Sequence, residues 1–445
     1  MKLALTRQNL YQGLTAVSQS VPARTTLPVL SNILFDATEE GLWVTATDLD
    51  VTVRTRVPAE VQEAGSLTVP GKKIQEIVLA LPDRPVLAGT LGSQMELVCG
   101  KSRFKLNGLP ADDFPSSPHL DFDQAWTTSG ADLLSLIRNT SFAVSSEESR
   151  PILSGVLWEL RGNEMRMVAT NGHRLARMAV KTKSSGPAAS NLIVPPSALR
   201  LVQRLFGEGD ELELGRDGNF LGFRSGSTEV YTRLIDGTYP NYKQVIPRDN
   251  DKFAVVDKNS LLAAVKRMDV VASDQTHRIK LGFSGGRMNL SVSTPDLGEG
   301  YDEVDLGYEG DDLEIGFNAS YLIEVLQHMP TDDVRLAFKA PERAATVEPV
   351  PTEDGDAIDY LCLVMPLRLL DCPVGDGPII GLDETNPVPV ASLRRPAFRG
   401  RRGVRSRGTR LSPHNLRSRC APGPPPRDRR APARREPGHR APRPP

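Results

Sequence analysis

Ala169-Thr-Asn-Gly-His-Arg-Leu-Ala176 carries the clearest local structural signal in the chain. An Asn-Gly pair between two alternating runs is the strongest short-range signal of a β-hairpin, because both residues tolerate positive φ. The sequence therefore predicts strands over 165–170 and 173–180, joined by a two-residue Asn171-Gly172 turn. Two other stretches have this form: Leu42-Trp-Val-Thr-Ala-Thr-Asp-Leu-Asp50 and, more faintly, Met288-Asn-Leu-Ser-Val-Ser-Thr-Pro-Asp296.

Each of these hairpins lies inside a longer repeat. Three capped amphipathic patterns, apolar at i, i+3, i+4 and i+7, predict helices over 5–18, 128–141 and 256–269. A second pattern, a short apolar strand followed by a turn and a helix, occupies 67–82, 192–206 and 315–330. The period of about 125 residues is too long for a solenoid unit and has the length of a whole domain.

The predicted fold class is α+β. Three tandem, quasi-equivalent domains are expected over 1–121, 122–247 and 248–371, each with two helices on one side of about eight antiparallel strands. Linkers that carry proline and acidic residues are expected near 116–123 and 246–251. Three equal units in a row favour an arc or a ring, because equivalent surfaces meet equivalent surfaces.

Charge divides the chain into two parts. Residues 372–445 contain 17 arginines and 5 acidic residues, whereas residues 1–371 contain 37 basic and 50 acidic residues. An acidic body argues against electrostatic adhesion to nucleic acid over its whole surface. Any contact with DNA is therefore expected on a local basic face.

Hydropathy and cysteine content restrict the location of the protein. No run of about 18 apolar residues occurs, so no membrane-spanning helix and no membrane partner are predicted, and the N-terminal apolar stretch is too short for a secretory signal. The four cysteines have neither paired metal-ligand spacing nor the density of a disulfide framework. We expect a protein of the reducing cytoplasm.

Several longer sequence motifs point to a known family. Each motif is weak evidence alone, but their order and spacing together are strong evidence. They are Arg24-Thr-Thr-Leu-Pro-Val-Leu-Ser-Asn32, Thr47-Asp-Leu-Asp50, Ser102-Arg-Phe104, Val168-Ala-Thr-Asn-Gly-His-Arg-Leu-Ala176, Tyr239-Pro-Asn-Tyr242, Gly316-Phe-Asn-Ala-Ser-Tyr-Leu322 and Met365-Pro-Leu-Arg-Leu369. With them, residues 1–371 resemble the β subunit of bacterial DNA polymerase III, the sliding clamp. The resemblance implies a processivity factor without cofactor, in which a head-to-tail homodimer closes three plus three domains into a ring around double-stranded DNA.

The resemblance also implies which residues face DNA. A ring is retained topologically, so weak positive charge around its hole suffices. The implied DNA-binding residues are Lys72, Lys73, Arg138, Arg200, Arg204, Lys266 and Arg267 on helices, with Arg24 and Arg150 in two loops. Some family members have aromatic residues where this chain has Pro151 and Ile152, which weakens a stacking role for the second loop. The alternative is that the helical cations are ordinary solvated faces.

A docking groove between the second and third domains is the next implication of the resemblance. Carried over position by position, its residues are Leu153, Thr170, Gly172, His173, Arg174, Leu175, Pro240, Val245, Leu363, Met365, Pro366, Leu367 and Arg368, with Asn318 and Tyr321 at its edge. Apolar surface that contains methionine suits short linear motifs from many proteins. The implied partners are the replicative polymerase α subunit, the clamp loader δ subunit, repair polymerases, mismatch-repair proteins and ligase.

The resemblance also implies that the ring closes by pairing between edge strands of the two copies. This pairing covers sheet edges that would otherwise be exposed. The implied dimer interface has Phe104 and Leu106 on one side and Val270 and Val271 on the other, with Lys101, Arg103 and Lys105 facing Glu299, Asp302 and Glu303. The alternative is that Val270 and Val271 belong to the core of their own domain.

The rival function is a hydrolytic or nucleic-acid-processing enzyme with His173 as a base. No nucleophile motif accompanies this histidine, and no P-loop, Gly-x-Gly-x-x-Gly or His-Glu-x-x-His occurs. The carboxylates are spread along loops and are not clustered for two-metal chemistry. No catalytic residue and no metal site is therefore predicted. Within the clamp class, a second-copy clamp specialised for repair or for resisting a groove-binding inhibitor is a further alternative.

Residues 372–445 form a tail that is rich in proline and arginine. It cannot bury enough apolar surface to fold, so disorder is predicted. Family chains usually stop just past the Met-Pro-x-Arg-Leu phrase. One interpretation of the tail is an arginine-rich arm that binds nucleic acid. The other is the product of a GC-rich gene that is read past its stop or out of frame.

Overall fold

The computed structural model describes residues 1–369 apart from 119, 121, 123–124, 183–189 and 352–356. The tail over 372–445, for which disorder is predicted, lies outside the described residues. Three α+β units follow one another along the described chain, and each has two helices packed against antiparallel strands. The predicted fold class is therefore confirmed.

The first unit begins with strand β1 (Lys2–Thr6) and helix α1 (Arg7–Val17). A 3-10 turn (Pro28–Ser31) leads into β2 (Asn32–Thr38), β3 (Gly41–Thr47), β4 (Val51–Val57), β5 (Glu60–Glu63) and β6 (Gly65–Pro70). Helix α2 (Gly71–Ala80) and strands β7 (Pro85–Leu91), β8 (Gln94–Cys99) and β9 (Ser102–Asn107) complete it.

The second unit repeats this order, without a counterpart of β5 among its described residues. Its elements are β10 (Trp126–Ser129), α3 (Gly130–Thr140), a 3-10 turn (Pro151–Ser154), β11 (Val156–Arg161), β12 (Glu164–Thr170), β13 (Arg174–Lys181), β14 (Ser190–Val194), α4 (Pro196–Leu205), β15 (Glu211–Asp217), β16 (Phe220–Ser225) and β17 (Thr228–Arg233).

The third unit has nine strands in the same order as the first. Its elements are β18 (Lys252–Asp257), α5 (Lys258–Asp269), β19 (Arg278–Ser284), β20 (Arg287–Thr294), β21 (Gly298–Asp305), β22 (Gly307–Tyr308), β23 (Leu313–Asn318), α6 (Ala319–Gln327), β24 (Asp333–Phe338), β25 (Ala345–Pro349) and β26 (Asp359–Val364).

Two of the sheets cross the boundaries between units. An eight-stranded sheet has the order β10-β15-β16-β17-β4-β3-β2-β6, and a nine-stranded sheet has the order β14-β11-β12-β13-β26-β25-β24-β18-β22. The first unit also has a sheet β5-β1-β7-β8-β9, and the third has β21-β20-β19-β23. Successive units are thus joined by main-chain hydrogen bonds between β4 and β17 and between β13 and β26.

The repeat extends to the starts of three helices. Thr6, Ser129 and Asp257 precede α1, α3 and α5, and each side chain accepts a hydrogen bond from the backbone N–H three residues later. Such N-caps satisfy a donor that the first helical turn leaves unpaired. These helices begin two residues later than the sequence predicts, because the residues before each cap extend β1, β10 and β18.

The turn at Asn171-Gly172 is displaced by one residue from its predicted position. Thr170 pairs with Leu175, so Gly172 and His173 are the central residues, and Gly172 has a φ of +91°. The Asn171 carboxamide oxygen accepts hydrogen bonds from the N–H of His173 and of Arg174, both at 2.9 Å. The predicted turn was wrong in register because the Asn171 side chain, and not its backbone freedom, closes the loop.

The first unit has the same turn between β3 and β4. The Asp48 carboxylate accepts hydrogen bonds from Asp50 N–H and Val51 N–H, at 3.1 and 2.7 Å. Leu49 occupies the position of Gly172 and has a φ of +82°. The third unit differs, because Thr294 pairs with Gly298 across a loop of residues 295–297, which explains the fainter sequence match.

Replacing Leu49 by glycine is expected to stabilise the protein. A left-handed backbone places the Cβ of a non-glycine residue too close to the carbonyl oxygen, and Leu49 is 49% exposed, so little packing is lost. We expect the free energy of unfolding to rise by about 0.5–1 kcal/mol in urea denaturation. The matched control is Leu27→Gly, at an exposed leucine with φ −104°, which should lower stability. A rise in both variants would contradict the strain argument.

Buried apolar side chains from all three units form one large cluster between the sheets and the helices. Within the described residues, no helix is long and apolar enough to cross a membrane. Among the same residues, no group of three or more His, Cys, Asp or Glu side chains could hold a metal ion.

Candidate functional site

A second, smaller apolar cluster lies on the nine-stranded sheet where the second and third units meet. Alternate residues of a strand share one face of a sheet. On that face, Leu157 lies between Ile193 and Val168 on neighbouring strands, and Leu175 pairs with Leu363 across the boundary; all five are buried. The segment that connects the two units crosses this apolar floor and packs Tyr242, Val245 and Ile246 against it.

Six of the predicted groove residues line one cavity of about 160 Å³ beside this floor. They are His173, Asn318, Tyr321, Met365, Pro366 and Leu367, joined by Gln275 and Thr276. The His173 ring stacks on that of Tyr321 with 6.3 Å between centroids. The N–H of Met365 donates to the His173 carbonyl at 2.8 Å, and that of Leu367 to the Gly316 carbonyl at 2.8 Å. The last described segment is thereby fixed between the hairpin turn and the third unit.

Two larger cavities continue from this one. A cavity of about 820 Å³ is lined by Met365, by the connecting segment from Asn241 to Asp249 except Tyr242, and by Glu342, Arg343 and Ala344. A cavity of about 350 Å³ lies beyond it and includes Pro240 and Tyr242. Met365 is shared by the first two cavities, and Asn241 and Lys243 by the last two. The three cavities together are called the groove below.

The other predicted groove residues lie beneath its surface or outside it. Leu153, Thr170, Gly172, Arg174, Leu175 and Leu363 are buried, whereas Arg368 is exposed. The Thr170 hydroxyl donates to the Arg174 carbonyl at 2.7 Å, so it supports the turn. The Arg368 carbonyl accepts from the guanidinium of Arg278 at 3.2 Å. These residues position the groove wall more than they offer contact area.

Arg174 connects the hairpin to the third unit. Its guanidinium donates to the Phe142 carbonyl at 2.7 Å, forms an ion pair with Glu324 of α6, and lies 4.8 Å from the centroid of the Tyr321 ring. Arg174 is 7% exposed, and burial lowers the pKa of its guanidinium below the ordinary value. His328, also of the third unit, stacks on Phe142 at 4.2 Å. One buried cation therefore ties both sides of the groove together.

A buried carboxylate holds the connecting segment in place. The Tyr242 hydroxyl donates to Glu159 at 2.7 Å, and the guanidinium groups of Arg161 and Arg166 lie 3.1 and 3.4 Å from the same carboxylate. Burial alone would raise the pKa of Glu159, but the Tyr242 hydrogen bond and the neighbouring cations lower it below its ordinary value of 4.5. Glu159 is therefore charged at neutral pH and anchors the wall that carries Val245.

The lowered pKa of Glu159 predicts a pH-dependent contribution to stability. A carboxylate whose folded-state pKa is depressed stabilises the protein above its unfolded pKa, and this contribution is lost as pH falls through the folded value. At pH 7 we expect Glu159→Gln to lower the free energy of unfolding by about 1–3 kcal/mol. The difference from the unaltered protein should shrink below pH 4.5 in urea denaturation.

Glu164→Gln is the matched control for Glu159→Gln. Glu164 contacts the same Arg166 at 2.6 Å, but its side chain is 38% exposed and stays hydrated, so the variant should lose less than about 1 kcal/mol. Equal losses in the two variants, or a Glu159→Gln loss that does not change with pH, would contradict the assigned role.

The boundary between the first and second units lacks an apolar floor. By strand register, Thr45, Thr52, Thr68 and Tyr231 occupy the positions of Val168, Leu175, Ile193 and Leu363. The Thr52 hydroxyl shares a hydrogen bond of 2.7 Å with Thr47, and the Tyr231 hydroxyl donates to Glu229. These two hydroxyls are satisfied within the protein, and the equivalent surface is more polar than the floor at the second boundary.

The predicted DNA-facing cations on helices are all exposed, but three of them have carboxylate partners. Lys73 pairs with Glu76 at 2.8 Å, Arg138 with Glu208 at 2.9 Å, and Arg267 with Asp302 at 2.6 Å. Lys72, Arg200, Arg204 and Lys266 form no ion pair with any residue that the structure describes. Helix α6 carries no basic residue.

Arg24 and Arg150 lie in equivalent loops of the first two units. Each loop ends in a Pro-x-Leu-Ser 3-10 turn, over Pro28–Ser31 and Pro151–Ser154, in which the serine hydroxyl donates to the proline carbonyl at 2.6 Å. Arg24 is exposed, and Arg150 pairs with Glu147 at 3.3 Å. The repeat thus places one arginine-bearing loop at the same point of each unit.

The predicted dimer-interface residues occupy the free edges of two sheets. On β9, Phe104 is exposed and Leu106 packs partly on the core, while Arg103 and Lys105 lie 3.6 and 3.8 Å from Glu96. On β21, Glu299 and Glu303 are exposed, and Glu303 contacts Arg287 at 3.1 Å. Val270 is 81% exposed beside this sheet, whereas Val271 packs partly on the core.

Sequence reasoning missed several residues of the groove region. Gln275 and Thr276 line the smallest cavity, Lys243 and Arg248 line the largest, and Phe142, Glu324 and His328 surround Arg174. The only indication in the sequence was that Lys243 and Arg248 lie close along the chain to Pro240 and Val245, which were predicted groove residues. The partners of Arg174 come from distant segments, so no spacing in the sequence connects them.

Three family models match the chain along its length. The N-terminal domain of the DNA polymerase III beta subunit matches residues 1–120, the central domain matches 128–241, and the C-terminal domain matches 243–366. Curated relatives named Beta sliding clamp are 33% identical over 378 residues in Synechococcus elongatus and 34% identical over 372 residues in Pseudomonas aeruginosa. Both are covered over 100% of their length and 83% of this chain.

Solved structures of sliding clamps give the same result. The clamp of Pseudomonas aeruginosa superimposes with a TM-score of 0.78 at 33% identity, and that of Bacillus subtilis with a TM-score of 0.79 at 26% identity. Each alignment covers 83% of this chain and 100% of the other. These matches confirm the resemblance, including the prediction of a polymerase accessory subunit and not a catalyst. The chain belongs to the DNA polymerase III beta subunit family, the bacterial sliding clamps.

Proposed function

We propose that this protein is a processivity factor of the bacterial cytoplasm. Two copies join head to tail in a ring that encircles duplex DNA and slides on it. The groove tethers the replicative polymerase and other replication and repair proteins to that ring. The protein performs no chemistry and needs no cofactor, because its contribution is to keep a partner on the template.

The observation that carries this proposal is the pattern of strand pairing between units. In each of the first two units the strand after the hairpin turn, β4 or β13, pairs with the last strand of the next unit, β17 or β26. Their counterparts β21 in the third unit and β9 in the first are sheet edges. Pairing β21 of one copy with β9 of another would repeat the same junction, and doing so twice closes a ring.

Charge on the two free edges supports this pairing. Strand β9 and the residue before it carry Lys101, Arg103 and Lys105, whereas β21 carries Glu299, Asp302, Glu303 and Asp305. Opposite charges on partner edges favour the correct partner, and like charges oppose pairing of β9 with β9 or of β21 with β21. The edges therefore favour head-to-tail assembly.

The exposed helical cations support a loose contact with DNA. Lys72, Arg200, Arg204 and Lys266 add positive charge without a fixed carboxylate partner in the described part of the chain. Tight phosphate contacts would slow sliding, whereas a few solvated cations attract duplex while leaving it free to move. Arg24 and Arg150 would add contacts from the two equivalent loops.

Primer extension tests the tethering function. On a singly primed circular template, with the polymerase and clamp loader of Pseudomonas aeruginosa, the unaltered protein should give long products. Met365→Lys places a charge where two cavities meet and should shorten the products by at least about tenfold. The matched control is Val255→Lys, at an exposed apolar residue on β18 outside the groove. Products of equal length with Met365→Lys would contradict the assignment of the groove.

A further inference from the structure

The chain beyond the groove begins with a segment unlike the rest of the tail. Residues 371–385 read Asp-Cys-Pro-Val-Gly-Asp-Gly-Pro-Ile-Ile-Gly-Leu-Asp-Glu-Thr, with four acidic residues and no basic one. Residues 386–445 contain all 17 arginines of the tail and only two acidic residues. Ile379, Ile380 and Leu382 form the most apolar run of the tail, and Asp383 and Glu384 follow directly.

The groove presents the matching chemistry. Its floor is apolar, and the largest cavity is lined by three basic side chains, Lys243, Arg248 and Arg343, against two acidic ones. Asp249 is one of the acidic pair and already contacts Lys339 and Arg343, at 2.6 and 3.1 Å. Lys243 lies 5.8 Å from the centroid of the Tyr242 ring and helps to lower the pKa of Glu159, but neither Lys243 nor Arg248 forms an ion pair with any residue that the structure describes. Both are exposed at the rim, where they can meet an acidic segment.

The point where the described chain ends places this segment within reach of the groove. Met365, which lines two of the cavities, lies four residues before Leu369, so it is within about 14 Å of it along the chain. The ten residues from Leu369 to Ile379 span roughly 17 Å as a flexible chain and roughly 33 Å when extended. Ile379 can therefore reach the two cavities that Met365 lines.

We propose that residues 378–384 of this chain occupy the groove from within the same molecule and compete with its partners. In this proposal the apolar floor is covered by the side chains of Ile379, Ile380 and Leu382. The basic side chains of Lys243 and Arg248 face Asp383 and Glu384. A tethered segment experiences an effective concentration on the order of millimolar, so even a weak intrinsic affinity suppresses partner binding. The proposal rests on the groove being the docking site for partners.

The test uses the full chain and a fluorescent synthetic peptide with the sequence of residues 377–385. The anchor variant replaces Ile379, Ile380 and Leu382 by serine. The matched control replaces Val388, Val390 and Leu393 by serine. By fluorescence anisotropy, the peptide should bind the anchor variant at least about tenfold more tightly than the unaltered chain or the control. Adding Met365→Lys to the anchor variant should abolish binding.

The proposal would be overturned by equal peptide affinity for the unaltered chain and the anchor variant, by absence of peptide binding to both, or by binding that survives Met365→Lys. Competition that fades when the protein is diluted tenfold would also overturn it, because the segment would then come from a second copy. A within-molecule contact predicts no change on dilution.

Purified polymerase α subunit, used as a second probe, separates this inference from the proposed function. Tighter binding of the α subunit to the anchor variant than to the unaltered chain supports both. Equal binding to both chains disproves occupation by the tail and leaves tethering intact. Binding to neither chain disproves tethering itself.

Discussion

Reversing the charges of Arg103 and Lys105 to glutamate should abolish the homodimer that we propose. Both side chains lie on the free edge strand β9, which we propose to pair with the acidic edge strand β21 of a second copy. Like charges placed opposite each other across an interface cost several kcal/mol. We expect the dimer dissociation constant, measured by sedimentation equilibrium, to rise by at least about 100-fold.

A charge swap distinguishes loss of the interface from loss of the fold. Adding Glu299→Lys and Glu303→Lys to the same chain restores opposite charges on the two edges, so dimerisation should return. Arg56→Glu with Arg216→Glu, two exposed positions on β4 and β15, is the control and should remain dimeric. A double variant that stays dimeric, or a quadruple variant no better than the double, would contradict the proposed edge pairing.

Replacing Arg174 by methionine should destabilise the junction between the second and third units. The change removes a hydrogen bond to the Phe142 carbonyl, which is part-buried, the ion pair with Glu324 and the contact with the Tyr321 ring. The Glu324 side chain is 42% exposed and can be rehydrated, so the loss comes mainly from the carbonyl and the rings. We expect the free energy of unfolding to fall by about 2–4 kcal/mol in urea denaturation.

Arg177→Met is the matched control for Arg174→Met. It lies on the same strand and pairs with Asp359, but its side chain is more exposed, and the variant should lose no more than about 1 kcal/mol. Because Arg174 positions the turn that carries His173, its variant should also bind the α subunit more weakly at temperatures where it is folded. Unchanged stability together with unchanged binding would contradict the role assigned to Arg174 at this junction.

The sequence predicts the repeat well because each unit needs the same local signals. Thr6, Ser129 and Asp257 cap equivalent helices, and Pro28 and Pro151 begin equivalent 3-10 turns. Such signals act over three or four residues and can be recognised without knowing the fold. The register of the Asn171 turn could not be predicted in the same way, because an asparagine side chain that accepts two N–H groups competes with a positive φ at that residue.

The groove was less accessible to sequence reasoning because register and distant contacts create it. Leu175 and Leu363 are far apart in the chain, and only the pairing of β13 with β26 makes them neighbours. Leu175 and Thr52, its counterpart at the other boundary, lie at the same position of similar hairpins. The local sequence pattern therefore does not show that only Leu175 lies in the floor of a groove. The family resemblance supplied the residue set, and the structure divides it into cavity-lining side chains such as Met365 and buried supports such as Arg174.

Retention on circular and on linear DNA distinguishes a ring that encloses the duplex from a protein that binds it by direct contacts. The protein is loaded onto a nicked circular plasmid with the clamp loader of Pseudomonas aeruginosa, and the DNA-bound fraction is measured by gel filtration before and after one restriction cut. A ring held by enclosure should remain on the circle and leave the linear molecule through its ends. Protein that remains bound to the linear DNA would contradict encirclement and show that it holds DNA by direct contacts.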